Sequence, residues 1–229
     1  RARVSSGEPY VSIVSEGDSW YQYPFLLHDV IDVVTDHPEY AVKSLGGASH
    51  LVLDMYEDGE LFDEVEALQP AFVLLSGGGN DIVGDRALTR YLKPYDPELK
   101  PEQYLTDAFE ARLRELLDTW GRMFRRVTRK RPGAQILFHG YDYGIPVDDG
   151  KWMGGPMAEL GINDPDMRRA IVRVFIDRFN TDLAALANSL GSHIHHIDCR
   201  GMCADNEWHD ELHPNNNGFK NIGAKVVNR

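Results

Sequence analysis

The sequence predicts an α/β fold, built as a three-layer α/β/α sandwich around a parallel sheet. Short apolar runs alternate along the chain with longer segments whose apolar residues recur every three or four positions, which is typical of strands alternating with helices. Residues 71–75 (AFVLL) are apolar throughout, as expected of a strand covered on both faces of a parallel sheet. Five such strands joined by right-handed crossovers favour a five-stranded parallel sheet of the flavodoxin-like kind.

Glycines mark the ends of the first predicted strands. Gly17 follows the first strand, and Gly46 and Gly47 follow the second. Small and polar residues therefore begin where each apolar run stops, which is expected at the carboxyl edge of such a sheet. The predicted strands are residues 10–15, 40–45, 71–75, 135–139 and 192–197.

Helical periodicity is clearest in two long segments of the chain. Residues 103–129 repeat large apolar side chains, such as Trp120 and Phe124, at helical spacing. Asp164 is a suitable N-cap for the second long helix, and Pro24 suits the first turn of the first helix. The predicted helices are residues 24–35, 60–68, 103–129, 165–190 and 216–227.

The whole chain, residues 1–229, is predicted to form one domain, because no repeat or low-complexity tract divides it. One long stretch, residues 141–163, is rich in Gly and Pro and carries Trp152 and Met157. A loop of that length in a compact domain is usually functional. We expect it to form a flap that shapes a substrate pocket.

Charge and composition exclude several classes of partner. The 229 residues carry 36 acidic side chains against 24 Lys and Arg, a formal net charge of −12. This balance argues against nucleic acid and against an anionic membrane surface as partners. No apolar run reaches the ~18 residues of a membrane span. Cys199 and Cys203 are expected to be free thiols, with a small loop disulfide as the alternative. Localisation and oligomeric state stay open.

Residues suited to acyl transfer follow the predicted strands. Ser19 follows the first strand, Gly47 the second and Asn80 the third, while Asp210 and His213 lie in the loop after the fifth. Ligands of open parallel sheets bind beyond the carboxyl ends of the strands. The predicted fold would therefore bring these distant segments to one edge.

The chemistry of each residue type suggests its role. A serine hydroxyl needs a base to take its proton, so Ser19 is paired with His213, which Asp210 would orient. The Asn80 amide and the N–H groups of Gly47 and Ser19 are the candidate oxyanion donors. Activity is expected to rise with pH as a histidine base loses its proton.

Four segments carry a resemblance to a known family. EGDSW, SLGGAS, SGGGND and DELHPNNNGF resemble, in order, the four signature blocks of the SGNH or GDSL-like serine hydrolases, and they run from residue 16 to residue 219. The resemblance implies an esterase or lipase-like activity on carboxylic esters, with lipids, acetylated sugars and small esters all allowed as substrates. It implies Ser19 as nucleophile, Gly47 and Asn80 in the oxyanion hole, and Asp210 with His213 completing the triad.

The sequence departs from the family pattern at two places. Trp20 stands after the nucleophile, where the family usually has Leu or Asn, so we expect an aromatic wall beside the site. The second block has adjacent glycines, so Gly46 is an alternative to Gly47 as the donor. Trp20 and Trp152 are the candidate substrate-binding residues, and Asp18 is expected to be structural.

Two other functions use the same fold. An acyltransferase would use the same triad but exclude water, and a non-catalytic binding module would lack a triad or oxyanion residue. The expected partner is a small-molecule, lipid or glycan ester, and neither a cofactor nor a metal is expected. The cluster His193, His195 and His196 is interpreted as structural, because no carboxylate or Cys spacing completes a familiar metal site.

Overall fold

Five parallel strands form the central sheet of the computed structural model, which describes residues 10–24 and 26–229. The strands are β1 (Val11–Glu16), β2 (Tyr40–Ser44), β3 (Phe72–Ser76), β4 (Gln135–His139) and β5 (Ile194–Ile197). Their order across the sheet is β2–β1–β3–β4–β5. This order confirms the predicted α/β sandwich with a flavodoxin-like sheet.

The burial of each strand follows its place in the sheet. β3 is buried from Val73 to Ser76, and β4 from Ile136 to His139, because helices cover both faces of these inner strands. β2 lies at an edge, and its last residues, Lys43 and Ser44, are exposed. The apolar runs of the sequence therefore indicate the centre of the sheet.

Nine α-helices occur in the described residues, together with three short 3-10 turns at Gly84–Arg86, Pro101–Gln103 and Asp205–Glu207. The longest helices lie close to their predicted bounds. The helices are α1 (Val30–Thr35), α2 (Val52–Asp58), α3 (Glu60–Leu68), α4 (Gly79–Val83), α5 (Leu88–Tyr91), α6 (Asp107–Lys130), α7 (Gly154–Glu159), α8 (Pro165–Leu190) and α9 (Asn216–Val227).

The first helix is shorter than the predicted residues 24–35, of which position 25 lies outside the described residues. Asp29 is its N-cap: its carboxylate accepts hydrogen bonds from the N–H groups of Ile31 (2.9 Å) and Asp32 (3.1 Å). The Asp32 carboxylate in turn accepts from the Asp29 N–H at 3.2 Å. This capping box starts the helix at Val30, so the prediction of a helix from Pro24 was wrong.

A side-chain cap also sets the start of α6. The Thr106 hydroxyl accepts a hydrogen bond from the Phe109 N–H, so the helix begins at Asp107 rather than at residue 103. In α8, the predicted cap is confirmed, because the Asp164 carboxylate accepts from the Met167 N–H at 2.7 Å.

The helices form two layers on the sheet. α1 packs on α9 on one side, where the Cα of Gly223 lies so close to Val33 that an added Cβ would come within 2.6 Å of the Val33 side chain. On the other side α6 packs on α2, α3 and α8. None of the described helices is both long enough and apolar enough to cross a bilayer.

Candidate active site

The side chains of Ser19, His213 and Asp210 form a continuous hydrogen-bonded chain at the carboxyl edge of the sheet. Ser19 Oγ lies 2.8 Å from His213 Nε2. His213 Nδ1 lies 2.9 Å from both carboxylate oxygens of Asp210. This is the geometry of a nucleophile, a base and an orienting acid, assembled from segments 194 residues apart.

A tight turn places the histidine and the acid side by side. The Asp210 carboxylate accepts hydrogen bonds from the N–H groups of Leu212 (2.8 Å) and His213 (2.9 Å), and the His213 carbonyl accepts from the His209 N–H at 2.8 Å. Burial raises the pKa of Asp210, but the hydrogen bond and charge of His213, with the two N–H donors, outweigh it and lower the pKa overall. The carboxylate is thereby kept ionised beside the imidazole.

Ser19 lies on a turn held by Asp18. The buried Asp18 carboxylate accepts a hydrogen bond from the Trp20 N–H (3.1 Å) and another from the Tyr141 hydroxyl. The Tyr141 oxygen in turn accepts from the Gly79 N–H at 2.9 Å. Burial raises the pKa of Asp18, against the lowering effect of the hydrogen bond from Tyr141. Asp18 therefore links the turn that carries Ser19 to the segment that carries Asn80.

Asn80 and Ser19 line the same pocket. Its side-chain nitrogen donates to the His50 carbonyl at 3.2 Å. A side-chain amide has two N–H groups, so one hydrogen fixes the side chain and the other is available to a ligand. The first turn of α4 thus presents the Asn80 amide, in an orientation fixed by this hydrogen bond, to the pocket that Ser19 also lines.

The Gly47 N–H has a partner of its own. It donates to the Gly17 carbonyl at 2.9 Å and continues the ladder in which the Leu45 N–H donates to Ser15. Its assignment as an oxyanion donor stays a prediction. To act in this way, the Gly47 N–H would have to exchange its hydrogen bond to Gly17 for one to the oxyanion. Gly46 stays the alternative.

The two candidate tryptophans occupy different places. Trp20 is buried, and its indole N–H donates at 3.0 Å to the carbonyl of Leu212, the residue directly before His213. Trp152 is half-buried, and its ring centre lies 5.8 Å from that of His213. Tyr23, which the sequence did not indicate, lies against the same imidazole at 4.8 Å.

Residues 141–163 are not one irregular loop, because α7 occupies residues 154–159. Buried Glu211 anchors this segment by accepting hydrogen bonds from four main-chain N–H groups, at distances of 2.6 to 3.1 Å. The donors are Val147, Trp152, Met153 and Gly154. A Cβ at Gly150 would come within 1.9 Å of this carboxylate, so the glycine permits the close approach.

Sequence reasoning missed Glu211. The signal that could have indicated it is a second acid directly after Asp210, in the segment that also carries His213. Met157, expected to shape the pocket, is fully buried and does not line it, whereas Met153 does.

An apolar pocket opens at Ser19 and His213. Beyond these two residues it is lined mainly by aliphatic and aromatic side chains from α4, α6 and α8. They include Ile82, Val83, Phe109, Val172, Phe175 and Ile176.

Two of the three clustered histidines have side-chain partners. His193 Nε2 lies 2.9 Å from the Thr128 hydroxyl, and His195 Nε2 lies 2.9 Å from the Gln135 side-chain oxygen. Burial lowers the pKa of His196 to about 4. Over residues 10–24 and 26–229, no group of three or more His, Cys, Asp or Glu side chains could hold a metal ion. Cys199 and Cys203 are free thiols.

Comparison with known proteins places this geometry in context. The model of the GDSL-like lipase/acylhydrolase family matches residues 7–220. No curated protein matches the sequence.

Solved structures share the fold across nearly their whole length. A lipase from a goat rumen metagenome is 13% identical, with a TM-score of 0.62, over 95% of this chain and 96% of that one. An extracellular lipase from Streptomyces rimosus is 16% identical, with a TM-score of 0.58, over 95% and 99%. A family 3 carbohydrate esterase from Clostridium thermocellum is 12% identical, with a TM-score of 0.58, over 96% and 94%.

Proposed function

The chain belongs to the GDSL-like lipase/acylhydrolase family, and from that premise we propose that it is a serine esterase acting on carboxylic esters through an acyl-enzyme intermediate. Membership of this family supports ester hydrolysis as the class of chemistry. The observation that carries the finer proposal is the chain of contacts from Ser19 Oγ through His213 to Asp210, at 2.8 and 2.9 Å.

In the first half of the reaction, His213 Nε2 takes the hydroxyl proton as Ser19 Oγ attacks the ester carbonyl. Asp210 holds the imidazole through Nδ1 and stabilises the charge that the ring acquires. The same ring then gives the proton to the departing alcohol oxygen. The acyl group stays on Ser19 as an ester.

In the second half, water enters on the side that the alcohol has left. His213 takes a proton from that water, the resulting oxygen attacks the acyl carbon, and the proton returns to Ser19 as the carboxylic acid departs. Entry of a second alcohol instead of water would give acyl transfer.

The developing oxyanion needs fixed donors near Ser19. We assign this role to the Asn80 side-chain amide and the Ser19 N–H, with Gly47 as a third donor once its bond to Gly17 is exchanged. Trp152 and Tyr23 flank His213 and are placed to contact the alcohol part of a substrate. Trp20 acts as a wall that also fixes the Leu212 carbonyl.

Hydrolysis of p-nitrophenyl butyrate tests the proposal. The wild-type chain is expected to turn it over, and Ser19→Ala to lose about 10⁴-fold or more in kcat, as other serine hydrolases do when the nucleophile is removed. The exposed Ser189→Ala, on α8, is the control and should keep full activity. Equal rates in wild type and Ser19→Ala would refute the proposal.

A further inference from the structure

A second carboxyl–imidazole pair, Glu16 and His50, connects the segments that carry the assigned oxyanion donors. We propose that His50, held against Glu16, is a positioning residue of the oxyanion hole. It acts through the main chain of Gly47 and the side chain of Asn80. The inference rests on the proposed serine-esterase function and adds a residue that the triad and the donors do not include.

The Glu16 carboxyl lies against the imidazole of His50. Glu16 is the last residue of β1, and its side chain is only 6% exposed. Its Oε1 atom lies 3.6 Å from His50 Nδ1, a buried nitrogen that has no hydrogen bond among the described residues. Burial raises the pKa of Glu16 to about 8, so near pH 7 the carboxyl keeps a proton that it can share with Nδ1. Because a buried polar atom is costly away from a partner, this contact fixes the imidazole.

Main-chain hydrogen bonds extend this contact into a closed network. The Gly17 N–H donates to Oε1 of Glu16, the atom that also faces His50, at 2.9 Å. The Gly47 N–H donates to the Gly17 carbonyl at 2.9 Å, and the His50 N–H donates to the Gly47 carbonyl at 3.1 Å. A shift of the imidazole would therefore move Gly47 relative to Gly17, which precedes Ser19 by two residues.

The turn of residues 47–50 depends on contacts made by His50. The imidazole lies directly on Gly47, where an added Cβ would come within 2.3 Å of His50 Nε2. Ser49 has a φ of 69°, in the left-handed region that residues other than glycine seldom adopt. Such a conformation persists where the surrounding structure holds it. The two contacts of His50 with Gly47, through its N–H and its imidazole, supply that support.

The same residue holds the other assigned donor. The His50 carbonyl accepts the hydrogen bond from the Asn80 side-chain nitrogen at 3.2 Å. The described lining of the pocket at Ser19 includes Asn80 but not His50. His50 therefore acts through its neighbours, and it sets the Gly47 segment and the Asn80 amide together.

Steady-state kinetics on p-nitrophenyl butyrate at pH 7 test the inference. His50→Leu removes the polar contact with Glu16, so kcat should fall about tenfold or more while KM changes less than about twofold, because misplaced donors weaken binding of the transition state and not of the ester. His50→Asn keeps a polar atom at the position of Nδ1 and should recover most of the loss. An unchanged kcat in His50→Leu, or equal losses in the two variants, would overturn the inference.

His37→Leu is the matched control. His37 Nδ1 also lies 3.6 Å from a carboxylate oxygen, that of Glu39, and its side chain is 40% exposed against 39% for His50. His37 precedes β2, so it lies at the edge of the sheet opposite Ser19. Its replacement should leave kcat and KM unchanged.

A double-mutant cycle shows whether His50 acts through the donors. In the Asn80→Ala background one of the groups that His50 positions is absent, so His50→Leu should lower kcat by a smaller factor than it does in the wild type. Losses that simply multiply would show that His50 acts independently of Asn80 and would overturn the inference.

Hydrogen exchange of main-chain amides separates this inference from the esterase function. The Gly47 N–H is hydrogen-bonded to Gly17, so its exchange reports on the network without any substrate. His50→Leu should quicken exchange at Gly47 by about tenfold or more, and His37→Leu should not. Unchanged exchange in His50→Leu would overturn the inference whether or not the chain hydrolyses esters. Absence of Ser19-dependent turnover would instead refute the esterase proposal.

Discussion

At the scale of single residues, the candidate site combines one half-buried side chain with several buried ones. Ser19 is half-buried, while Asp18, Glu211 and His213 are buried and act through hydrogen bonds. All four residues belong to the segments that resemble family blocks, EGDSW and DELHPNNNGF, and Glu211 lies between Asp210 and His213. The Ser19 hydroxyl therefore lies among neighbours that are largely shielded from solvent.

Asn80 offers a residue-scale prediction about transition-state stabilisation. Asn80→Ala removes a preorganised donor, so kcat should fall about 10²–10³-fold while KM changes little. Steady-state kinetics on p-nitrophenyl butyrate measure both constants. The exposed Asn188→Ala is the control. A loss smaller than threefold in kcat would remove Asn80 from the oxyanion hole.

Glu16 gives a prediction about pH and stability. Burial raises its pKa from 4.5 to about 8. The hydrogen bond from the Gly17 N–H opposes this rise, whereas the nearby Glu60 and Asp58 carboxylates add to it. The folded chain therefore holds a proton that the unfolded chain has lost, so folding stability falls as pH rises from about 4.5 to about 8.

The test compares the free energy of urea unfolding at pH 6.5 and pH 8. Both pH values lie above the pKa of Asp81, which burial raises to about 6. Loss of the Asp81 proton also lowers folding stability as pH rises, and this choice of pH reduces its contribution. Glu16 contributes a loss of up to about 1.4 kcal/mol per pH unit, and Glu16→Gln should remove it. Exposed Glu102→Gln should keep it. The same slope in wild type and Glu16→Gln would contradict the buried, protonated state.

At the scale of elements, the sequence predicts best the strands and helices whose apolar pattern is continuous and whose ends carry a clear signal. β4, α8 and α9 lie at their predicted bounds, and α8 and α9 begin after Asp164 and Asn215 caps. α2, α4, α5 and α7 were missed because four to seven residues are too few to show a helical period.

The segment of residues 141–163 shows what the sequence could not supply. Its length and composition indicated a flap, but its order comes from the distant Glu211 carboxylate. Four main-chain donors on one carboxylate depend on the tertiary fold, and no local pattern encodes them.

Glu211→Gln tests this anchor. The amide replaces one acceptor oxygen with a donor, so some of the four N–H groups lose their partner, at a cost of about 1–3 kcal/mol. Hydrogen exchange should quicken at Val147, Trp152, Met153 and Gly154, and kcat/KM should fall as Trp152 moves from His213. The exposed Glu159→Gln is the control. Unchanged exchange at these amides would show that the carboxylate does not hold the segment.

At the scale of the whole molecule, the parallel sheet explains why the site could be predicted at all. Each strand ends at the same edge, so Ser19, Asn80 and His213 meet although they are far apart in the chain. The apolar pocket could not be predicted, because α4, α6 and α8 each supply only part of its wall. The hydrogen bond from the Gly47 N–H to the Gly17 carbonyl could not be predicted either, because it depends on how the chain after β2 continues beside the chain after β1.

The central claim is that Ser19 is the nucleophile, activated by His213. A fluorophosphonate reacts covalently with an activated serine, so the most direct measurement is intact mass followed by peptide mapping after labelling. The account predicts one adduct, on Ser19, and none in Ser19→Ala or His213→Ala. An adduct on another residue, or equal labelling of the wild type and Ser19→Ala, would contradict it.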